Sequence, residues 1–282
     1  MPIYKPSELK NFLNQLGIHP KKSLSQNFLI DGNIVHKIIE LANLSENDVV
    51  LEIGPGPGCL TEAMLERKAK IIAVDKDTIL SEQLQRFDPS GQLLTIYNED
   101  IMQFDLEKHF FPLLNGAKGK VIANLPYHLT TPIIANLVTQ FDHFSDLILM
   151  VQEEVARRFV AKPNTPDYSS FTIFLNAYCD PLYAFKVKKG SFFPEPKVDS
   201  AIVHLKLKAL PNFSEKVFEL TRRSFEQRRK MLKSSLKDLY PSEKIEEGLK
   251  TIGKNPLSRP ENLSLQEFVN LYNYLDQLPL NK

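Results

Sequence analysis

Apolar residues along this chain follow two alternating patterns. Residues 33–44 carry apolar side chains at intervals of three and four, which predicts an amphipathic helix. Farther on, short continuous apolar runs alternate with segments of helical spacing, and this alternation favours a parallel sheet covered by helices on both faces. The predicted strands of that region are 49–53, 70–75, 93–97, 120–124 and 146–150. The predicted helices are 58–68, 78–87, 131–141 and 151–161.

A different pattern begins after residue 180. Residues 182–188 and 201–207 are predicted strands that flank a proline-rich loop, and residues 214–282 have helical spacing. We therefore predict an α/β protein with a second, small helical domain and a boundary near residue 210. The predicted domains are 1–210, with the N-terminal segment 1–30 included, and 211–282.

The composition argues against several classes of protein. Of the 282 residues, 43% are hydrophobic and 24% charged, which is ordinary for a globular protein. The two cysteines, Cys59 and Cys179, and the scattered histidines show no metal-binding spacing, so we expect no metal site. The N-terminus lacks the features of a signal sequence and no apolar run could span a bilayer, which favours a cytoplasmic protein without a membrane partner. The formal net charge of +1 leaves any nucleic-acid binding to local clusters.

A glycine-rich turn follows the first strand of this series. Residues 52–58 read Glu-Ile-Gly-Pro-Gly-Pro-Gly, and glycines allow the backbone to turn tightly and to approach a ligand. A dinucleotide fingerprint counted from Gly54 and Gly56 requires glycine or alanine where this chain has Cys59. S-adenosylmethionine suits the turn better, because it has no pyrophosphate to bind and because Glu52 can attract its ammonium group.

Acidic residues follow the next two predicted strands. Asp75 ends the second strand, where a carboxylate can accept hydrogen bonds from ribose hydroxyls. Asp100 follows the third strand, where it can accept a hydrogen bond from an adenine amine. Either residue alone could equally cap a helix. Their common position at strand ends, beside the glycine turn, favours a cofactor site, because open α/β sheets bind ligands at that edge.

The sequence Asn124-Leu-Pro-Tyr follows the fourth strand. An exocyclic adenine amine is a poor nucleophile, because its lone pair is delocalised into the ring. The amide oxygen of Asn124 and the carbonyl of Leu125 can accept its N–H groups and hold the nitrogen in line with a methyl donor. Pro126 fixes the local turn, and Tyr127 offers a flat face on which the base can stack. We predict that these four residues are catalytic.

Together these motifs resemble those of the ribosomal RNA adenine N6-dimethyltransferases. Further matching segments extend the resemblance from about residue 20 to residue 275. Gln26-Asn-Phe-Leu is similar to the N-terminal cofactor motif of the family, and Phe192-Phe-Pro-Glu-Pro-Lys-Val-Asp-Ser is similar to its FxPxPxVxS loop. Phe225-Glu-Gln-Arg-Arg-Lys resembles a basic helix of the subfamily that dimethylates two adjacent adenines near the 3′ end of bacterial small-subunit RNA.

The resemblance implies a Rossmann-like S-adenosylmethionine-dependent methyltransferase sheet, with ribosomal RNA of the immature small subunit as substrate. It also implies that Phe192 stacks on the target base opposite Tyr127. Two positions depart from the family pattern: Asp75 stands where Glu is frequent, which shortens the reach to the ribose, and Pro57 stands where a small or aliphatic residue is usual. The residues predicted to contact the cofactor are Gln26, Asn27, Leu29, Glu52, Gly54, Gly56, Asp75, Asp100 and Asn124.

Basic residues cluster in the predicted helical domain. The residues expected to bind the RNA backbone are Arg222, Arg223, Arg228, Arg229 and Lys230. They crowd one predicted helix, on which Arg222, Arg229 and Lys233 would share a face. A solvated helix face is the alternative interpretation of the same pattern. We expect the protein to act as a monomer.

Three other functions remain open on this sequence. A single-site large-subunit methylase of the macrolide-resistance type shares the Asn-x-Pro-Tyr and FxPxPxVxS features but resembles residues 225–230 less. A protein glutamine methyltransferase has a similar motif, although Leu125 and the basic cluster argue against it. A ribosome assembly factor or transcription factor without catalysis is disfavoured by the intact Asn124 and Tyr127.

Overall fold

The computed structural model describes residues 3–21, 26–209 and 213–276. The chain divides into two compact units, and each has its own hydrophobic core. The first unit comprises Met1–Ala156 and Asp180–Lys208, and the second comprises Arg157–Cys179 and Ala209–Lys282.

Nine strands occur in the described residues. They are β1 (Phe28–Leu29), β2 (Val49–Ile53), β3 (Lys70–Val74), β4 (Leu94–Tyr97), β5 (Gly119–Asn124), β6 (Phe144–Gln152), β7 (Cys179–Val187), β8 (Phe192–Phe193) and β9 (Ser200–Leu207). Seven of them form one sheet in the order β4-β3-β2-β5-β6-β9-β7. Pairing is parallel from β4 to β6 and antiparallel between β6 and β9. The α/β fold class is thereby confirmed.

Helices cover the sheet and build the second unit. They are α1 (Pro6–Gln15), α2 (Gly32–Ala42), α3 (Cys59–Leu65), α4 (Thr78–Gln83), α5 (Leu106–His109), α6 (Thr130–Val138), α7 (Glu153–Phe159), α8 (Ser170–Tyr178), α9 (Lys216–Glu226), α10 (Leu232–Ser235), α11 (Ser242–Thr251) and α12 (Leu265–Asp276). The predicted strands and helices up to residue 161 are confirmed, with bounds that shift by a few residues. Helices α1, α5 and α8 and the short strands β1 and β8 were not predicted.

Continuous apolar runs explain why the central strands form. Val50 and Leu51 on β2, and Ile71 and Ile72 on β3, are all completely buried. Successive side chains of a strand point to opposite faces, so burial of both members of each pair requires a cover on both faces of the sheet. Such runs are typical of central parallel strands.

The order of the strands places a crevice beside β2. The chain proceeds from β2 to β3 and β4 on one side and then returns to β5 on the other side of β2. In open α/β sheets, ligands bind at such a reversal, outside the carboxyl ends of the strands. The glycine turn follows β2 and Asn124 ends β5, so both motifs lie at this crevice.

The second unit differs from the predicted domain in one respect. The sequence prediction placed all of 1–210 in the first domain, but Arg157–Cys179 group with the C-terminal helices. The physical reason is burial, because Tyr168 and Ile173 belong to the apolar cluster that also contains Val217 and Phe268. The Tyr168 hydroxyl, moreover, donates to the Leu263 carbonyl at 3.0 Å. The predicted boundary near residue 210 falls at residues 210–212, outside the described ranges.

The prediction of a single basic helix in this unit is wrong. Helix α9 ends at Glu226, residues 227–229 form a turn, and Lys233 lies on α10. At about 100° per residue, one continuous helix would point Leu232 and Leu236 roughly 120° and 160° away from Leu220. Both side chains are instead completely buried in the same cluster as Leu220, which requires the chain to turn between the helices. Arg222, Arg229 and Lys233 therefore do not share a helix face.

Cys59 and Cys179 are both buried. Across residues 3–21, 26–209 and 213–276, no helix is long and apolar enough to cross a membrane. The same ranges contain no group of three or more His, Cys, Asp and Glu side chains that could hold a metal ion.

Candidate active site

A cleft opens at the carboxyl ends of β2, β3 and β5, in the first unit. Most of the residues predicted to bind the cofactor or to take part in catalysis line this cleft. The residues at these strand ends therefore lie close together, as expected. These residues are Gln26, Asn27, Leu29, Gly54, Gly56, Asp75, Asp100, Asn124, Leu125, Pro126 and Tyr127. Glu52 and Phe192 are not part of the lining.

The glycine turn requires glycine for two different reasons. Gly54 and Gly56 have φ angles of +66° and +55°, which disfavour any residue with a Cβ. A Cβ on Gly56 would also lie 3.2 Å from the Phe28 ring, whereas a Cβ on Gly54 would meet only the Asn124 carbonyl, at 3.8 Å. At Gly54, therefore, the backbone conformation sets the requirement, and at Gly56 the close approach of Phe28 adds to it.

Asp75 connects the glycine turn to the end of β3. One carboxylate oxygen accepts from the Gly56 N–H at 3.0 Å and the other accepts from the Asp77 N–H at 2.8 Å. Burial raises the pKa of Asp75, although the backbone hydrogen bonds oppose this shift. Each carboxylate oxygen has a further lone pair, so the side chain can still accept from a ribose hydroxyl. That contact stays a prediction.

Glu52 lies beneath the turn and is 1% exposed. Its Oε2 accepts from the Thr61 hydroxyl at 2.6 Å, while its Oε1 has no hydrogen-bond partner among the described residues. Desolvation raises the pKa of Glu52 to about 8, and the charge of Asp75 adds to the shift. A buried carboxyl oxygen without a partner is costly, and a cationic group brought near it would lower that cost.

Asp100 is held in its ionised form at the mouth of the cleft. It accepts from the Met102 N–H and from the Lys76 ammonium, both at 3.0 Å, and these two contacts lower its pKa. Lys76 also lines the cleft. Sequence reasoning did not single out Lys76, although its position directly after Asp75 was a usable signal.

Asn124 is oriented by the N-terminal segment. Its Nδ2 donates to the Asn27 carbonyl at 3.0 Å, across 97 positions of sequence. This bond fixes the plane of the amide and leaves Oδ1 as the atom available to accept a hydrogen bond. The next residue, Leu125, is held through its N–H, which donates to the Met150 carbonyl on β6 at 3.2 Å.

Tyr127 begins a short 3₁₀ turn, Tyr127–Leu129. Its hydroxyl lies 2.8 Å from Ser200 Oγ, and Ser200 is completely buried. Burial raises the pKa of Tyr127, so the hydroxyl stays protonated at neutral pH. Ser200 belongs to the FxPxPxVxS segment, but the sequence did not reveal that it contacts Tyr127.

Phe192 is 3% exposed and packs in the core of the first unit. Strand β8 pairs antiparallel with β1, so that Phe192 lies opposite Leu29. The Ile30 N–H extends the pairing by donating to the Ser191 carbonyl at 2.8 Å. In this structure the ring supports β1 and does not line the cleft; its stacking on a target base stays a prediction.

Comparison with known proteins settles the family. Residues 18–277 match the family described as ribosomal RNA adenine dimethylase. The chain belongs to this family. The resemblance inferred from the sequence motifs is thereby confirmed, and the chain is an S-adenosylmethionine-dependent methyltransferase.

Individual relatives agree with this result. The ribosomal RNA small subunit methyltransferase A of Protochlamydia amoebophila is 57% identical over 278 residues, which cover 98% of each chain. The crystal structure of a dimethyladenosine transferase from Plasmodium falciparum is similar with a TM-score of 0.73 at 27% identity, and the match covers 89% of this chain and 98% of that one. The 23S rRNA methyltransferase ErmE has a TM-score of 0.68 at 24% identity and matches 89% of this chain and all of that one, a likeness that shows the fold alone.

The cleft of this dimethylase-family chain fits the methyl donor. The positive φ angles of Gly54 and Gly56 keep the backbone free of side chains where a ligand must approach closely. The carboxylates of Asp75 and Asp100 suit ribose hydroxyls and an adenine amine, respectively. Oε1 of Glu52 supplies a buried acceptor without a partner. A cationic, ribose-bearing and adenine-bearing ligand matches this set of groups.

Gln26 lines the cleft, but its side chain is already engaged. Its Nε2 donates to Asp77 at 2.9 Å and its Oε1 accepts from the Lys21 N–H at 2.7 Å. The Lys21 ammonium also contacts Asp77, at 2.9 Å. These bonds attach the N-terminal segment to Asp77, the N-cap of α4. Contact of Gln26 with the cofactor stays a prediction.

The predicted RNA-binding residues of the second unit fall into two groups. Arg222 and Arg223 pair with Glu226 at 3.2 and 3.5 Å, and Arg228 pairs with Glu261 at 3.2 Å. In contrast, Arg229 and Lys230 are exposed and have no acidic partner within residues 213–276 or elsewhere in the described chain. Charges without intramolecular partners are the ones most available to phosphates.

Proposed function

We propose that this chain transfers methyl groups from S-adenosylmethionine to the N6 amines of two adjacent adenosines near the 3′ end of small-subunit (16S) ribosomal RNA. The substrate is the RNA of the immature small subunit, and the modification belongs to ribosome biogenesis. Support for the small subunit comes from the relative that is 57% identical over 98% of both chains and is named for that subunit. We also propose that the protein acts in the cytoplasm as a monomer.

One observation supports the chemistry most directly, namely the hydrogen bond from Asn124 Nδ2 to the Asn27 carbonyl. It leaves Oδ1 to accept an N–H of the target amine, and the carbonyl of Leu125 can accept the second N–H. Held between two acceptors, the nitrogen is oriented with its lone pair out of conjugation with the ring. Orientation of this kind accounts for a large part of the rate enhancement when the reacting partner is a strong electrophile.

The remaining groups of the cleft bind and align. When bound, S-adenosylmethionine supplies an electrophilic methyl carbon on a positively charged sulfur. Asp75 and Asp100 would hold its ribose and adenine, with Glu52 near its ammonium group. Tyr127 would stack on the flipped target base, at a gain of about 1–3 kcal/mol. After the first transfer, and after loss of one proton to solvent, the amine retains one N–H, which Asn124 can still accept once the new methyl group has rotated away.

The predicted division of labour assigns RNA binding to the second unit. Arg229 and Lys230 are the strongest candidates for contacts with the phosphate backbone, because their charges are not neutralised by neighbouring carboxylates. Arg222, Arg223 and Arg228 can contribute only if the RNA competes with Glu226 and Glu261. Each phosphate contact steepens the dependence of RNA affinity on salt.

Labelled methyl donor tests the proposal. The protein is incubated with unmethylated small subunits, large subunits, free ribosomal RNAs and total protein, and each fraction is counted. We expect label in small-subunit RNA, recovered as N6,N6-dimethyladenosine by nucleoside mass spectrometry. Label in large-subunit RNA would favour the macrolide-resistance alternative, and label in protein would favour glutamine methylation.

Two variants serve as controls for that experiment. Asn124→Ala removes the amide that accepts from the target amine, and it should lower labelling by about three orders of magnitude. Asn136→Ala makes the same change at an exposed position on α6, outside the cleft, and it should label like the wild type. Binding of donor without labelling of any fraction would indicate a factor without catalysis.

A further inference from the structure

The Tyr127 ring is held at both of its ends. Its backbone lies in the turn that follows β5, and its hydroxyl lies 2.8 Å from Ser200 Oγ. A phenol held only through its Cα can rotate about two side-chain bonds. Because the hydroxyl oxygen lies on the axis of the second bond, a hydrogen bond at the far end of the ring stops rotation about the first bond and fixes the direction in which the ring axis points.

Ser200 is well suited to be a fixed point. It is the first residue of β9 and has no exposed surface. Strand β9 pairs with β6 without interruption from Lys206, opposite Asp146, to Ser200, opposite Gln152. The same β6 strand also holds the segment Asn124–Tyr127, because the Met150 carbonyl of β6 accepts from the Leu125 N–H at 3.2 Å. The loop that carries Tyr127 and the hydroxyl at the far end of its ring are therefore both anchored to β6, the first directly and the second through β9.

We propose that Ser200 is a positioning residue for methyl transfer, whose hydroxyl holds the Tyr127 ring in the position at which the target base stacks on it. The inference rests on the proposed function, because it assumes that an adenine stacks on Tyr127. Ser200 acts through Tyr127 and does not touch the substrate. Without the Ser200 hydroxyl the axis of the Tyr127 ring can swing, and bound bases reach the reactive orientation less often.

Burial distinguishes this role from a purely structural one. Tyr127 is only half-buried, so water can replace Ser200 as partner of its hydroxyl and folding should tolerate the loss. The far end of the ring, in contrast, has no other hydrogen-bond partner among the described residues. Removal of Ser200 Oγ should therefore affect alignment of the base more than stability of the fold.

A double-mutant cycle tests the inference. Ser200→Ala should lower kcat by between about 2-fold and 12-fold, the range that corresponds to loss of one neutral hydrogen bond. The affinity for S-adenosylhomocysteine should stay within a factor of about two, because the change lies on the substrate side of the cleft. Tyr127→Phe keeps the ring and removes the hydroxyl, and it should reduce kcat to a similar extent.

The combined variant gives the decisive comparison. In the Tyr127→Phe background, Ser200→Ala should have no further effect, because the bond is already gone. Additive losses in the double variant, or an unchanged kcat in Ser200→Ala, would overturn the inference. Ser81→Ala is the matched control: Ser81 is also buried in the first unit, its hydroxyl donates to the Thr78 carbonyl on α4, and its loss should leave kcat unchanged.

A measurement without RNA separates this inference from the proposed function. Aromatic NMR signals of Tyr127 are assigned by their disappearance in Tyr127→Phe. They should move in Ser200→Ala and stay in place in Ser81→Ala, whether or not any RNA is methylated. Unmoved Tyr127 signals in Ser200→Ala would overturn the inference even if the wild type methylates small subunits. Failure of the wild type to methylate any RNA, with the expected shifts present, would instead contradict the proposed function.

Discussion

The cleft at the strand ends and the basic segment (residues 222–230) differ in what holds their polar side chains. In the cleft, Asn124 and Asp75 are held by backbone groups of neighbouring loops, which leave part of each side chain free for a ligand. In the basic segment, Arg222 and Arg223 are held by Glu226 on the same helix, and their charges are thereby partly neutralised.

This difference shows that a sequence motif predicts the type of a side chain but not whether that side chain is available to a ligand. Backbone hydrogen bonds orient a side chain without cancelling its chemistry, so Asn124 and Asp75 can still take the roles predicted for them. An ion pair on a surface helix competes directly with the phosphate that an arginine would bind. Of the basic residues in this segment, only Arg229 and Lys230 lack such a competitor among the described residues.

Asn124→Ala is the strongest test of the cleft side of this comparison. The variant should fold normally, because Asn124 lines a pocket and is not part of the core. Methylation should fall by about three orders of magnitude, since the target amine loses the acceptor that orients it. Single-turnover labelling of small-subunit RNA measures the loss. An active Asn124→Ala variant would contradict the role assigned to the amide.

Glu52→Gln tests how the buried carboxyl beneath the glycine turn affects stability as pH changes. The carboxyl has a folded pKa of about 8 against an ordinary value of 4.5, so the folded state binds its proton more tightly than the unfolded state does. Glu52 therefore costs stability progressively as pH rises from about 4.5 to about 8, and the full penalty is present above that range. Glutamine cannot ionise, so the variant should gain roughly 2–4 kcal/mol over the wild type between pH 5 and pH 8.

Urea unfolding of the cofactor-free protein at several pH values measures this effect. The difference between Glu52→Gln and the wild type should grow as pH rises. A difference that stays constant with pH would show that Glu52 is ionised in the folded protein at all these values. Thr61→Val, which removes the hydroxyl bonded to Oε2, serves as a comparison that leaves the ionisable group in place.

Asp75→Ala tests whether the same carboxylate that holds the glycine turn also binds the cofactor. Loss of a charge-assisted hydrogen bond to the ribose should weaken donor binding by about 1–3 kcal/mol. Calorimetry with S-adenosylhomocysteine gives the affinity. Asp75→Asn retains an acceptor and should lose less. Wild-type affinity in Asp75→Ala would remove Asp75 from the cofactor site.

Variants of Arg229 and Lys230 test the basic segment. Neutralising both with glutamine should weaken binding to small-subunit RNA and flatten its dependence on salt by roughly 0.7–0.9 log units of slope for each phosphate that is no longer neutralised. The matched pair, Arg222→Gln with Arg223→Gln, removes equal charge from positions already paired with Glu226 and should cost less. Equal effects of the two double variants, measured by filter binding at several salt concentrations, would show that the ion pairs do not matter.

Local patterns allowed much of the fold to be predicted. The continuous apolar runs of β2 and β3 and the helical spacing of α2 were sufficient to locate these elements, because each depends on a window of a few residues. Strand ends then placed Asp75, Asp100 and Asn124 at one edge. The short strands β1 and β8 escaped prediction, because two residues carry no period and their pairing joins distant parts of the chain.

The sequence by itself determined the family and the methyl donor and predicted most of the residues that line the cleft, because these depend on short motifs at the ends of well-marked strands. Only the tertiary structure decided which atoms are available. It placed the Asn27 carbonyl against Asn124, Ser200 against Tyr127, and Phe192 in the core. It also ended α9 at Glu226, which separated the paired from the unpaired basic residues. Such contacts join positions far apart in sequence or depend on where the chain must turn to bury its leucines, and neither property is contained in a local pattern.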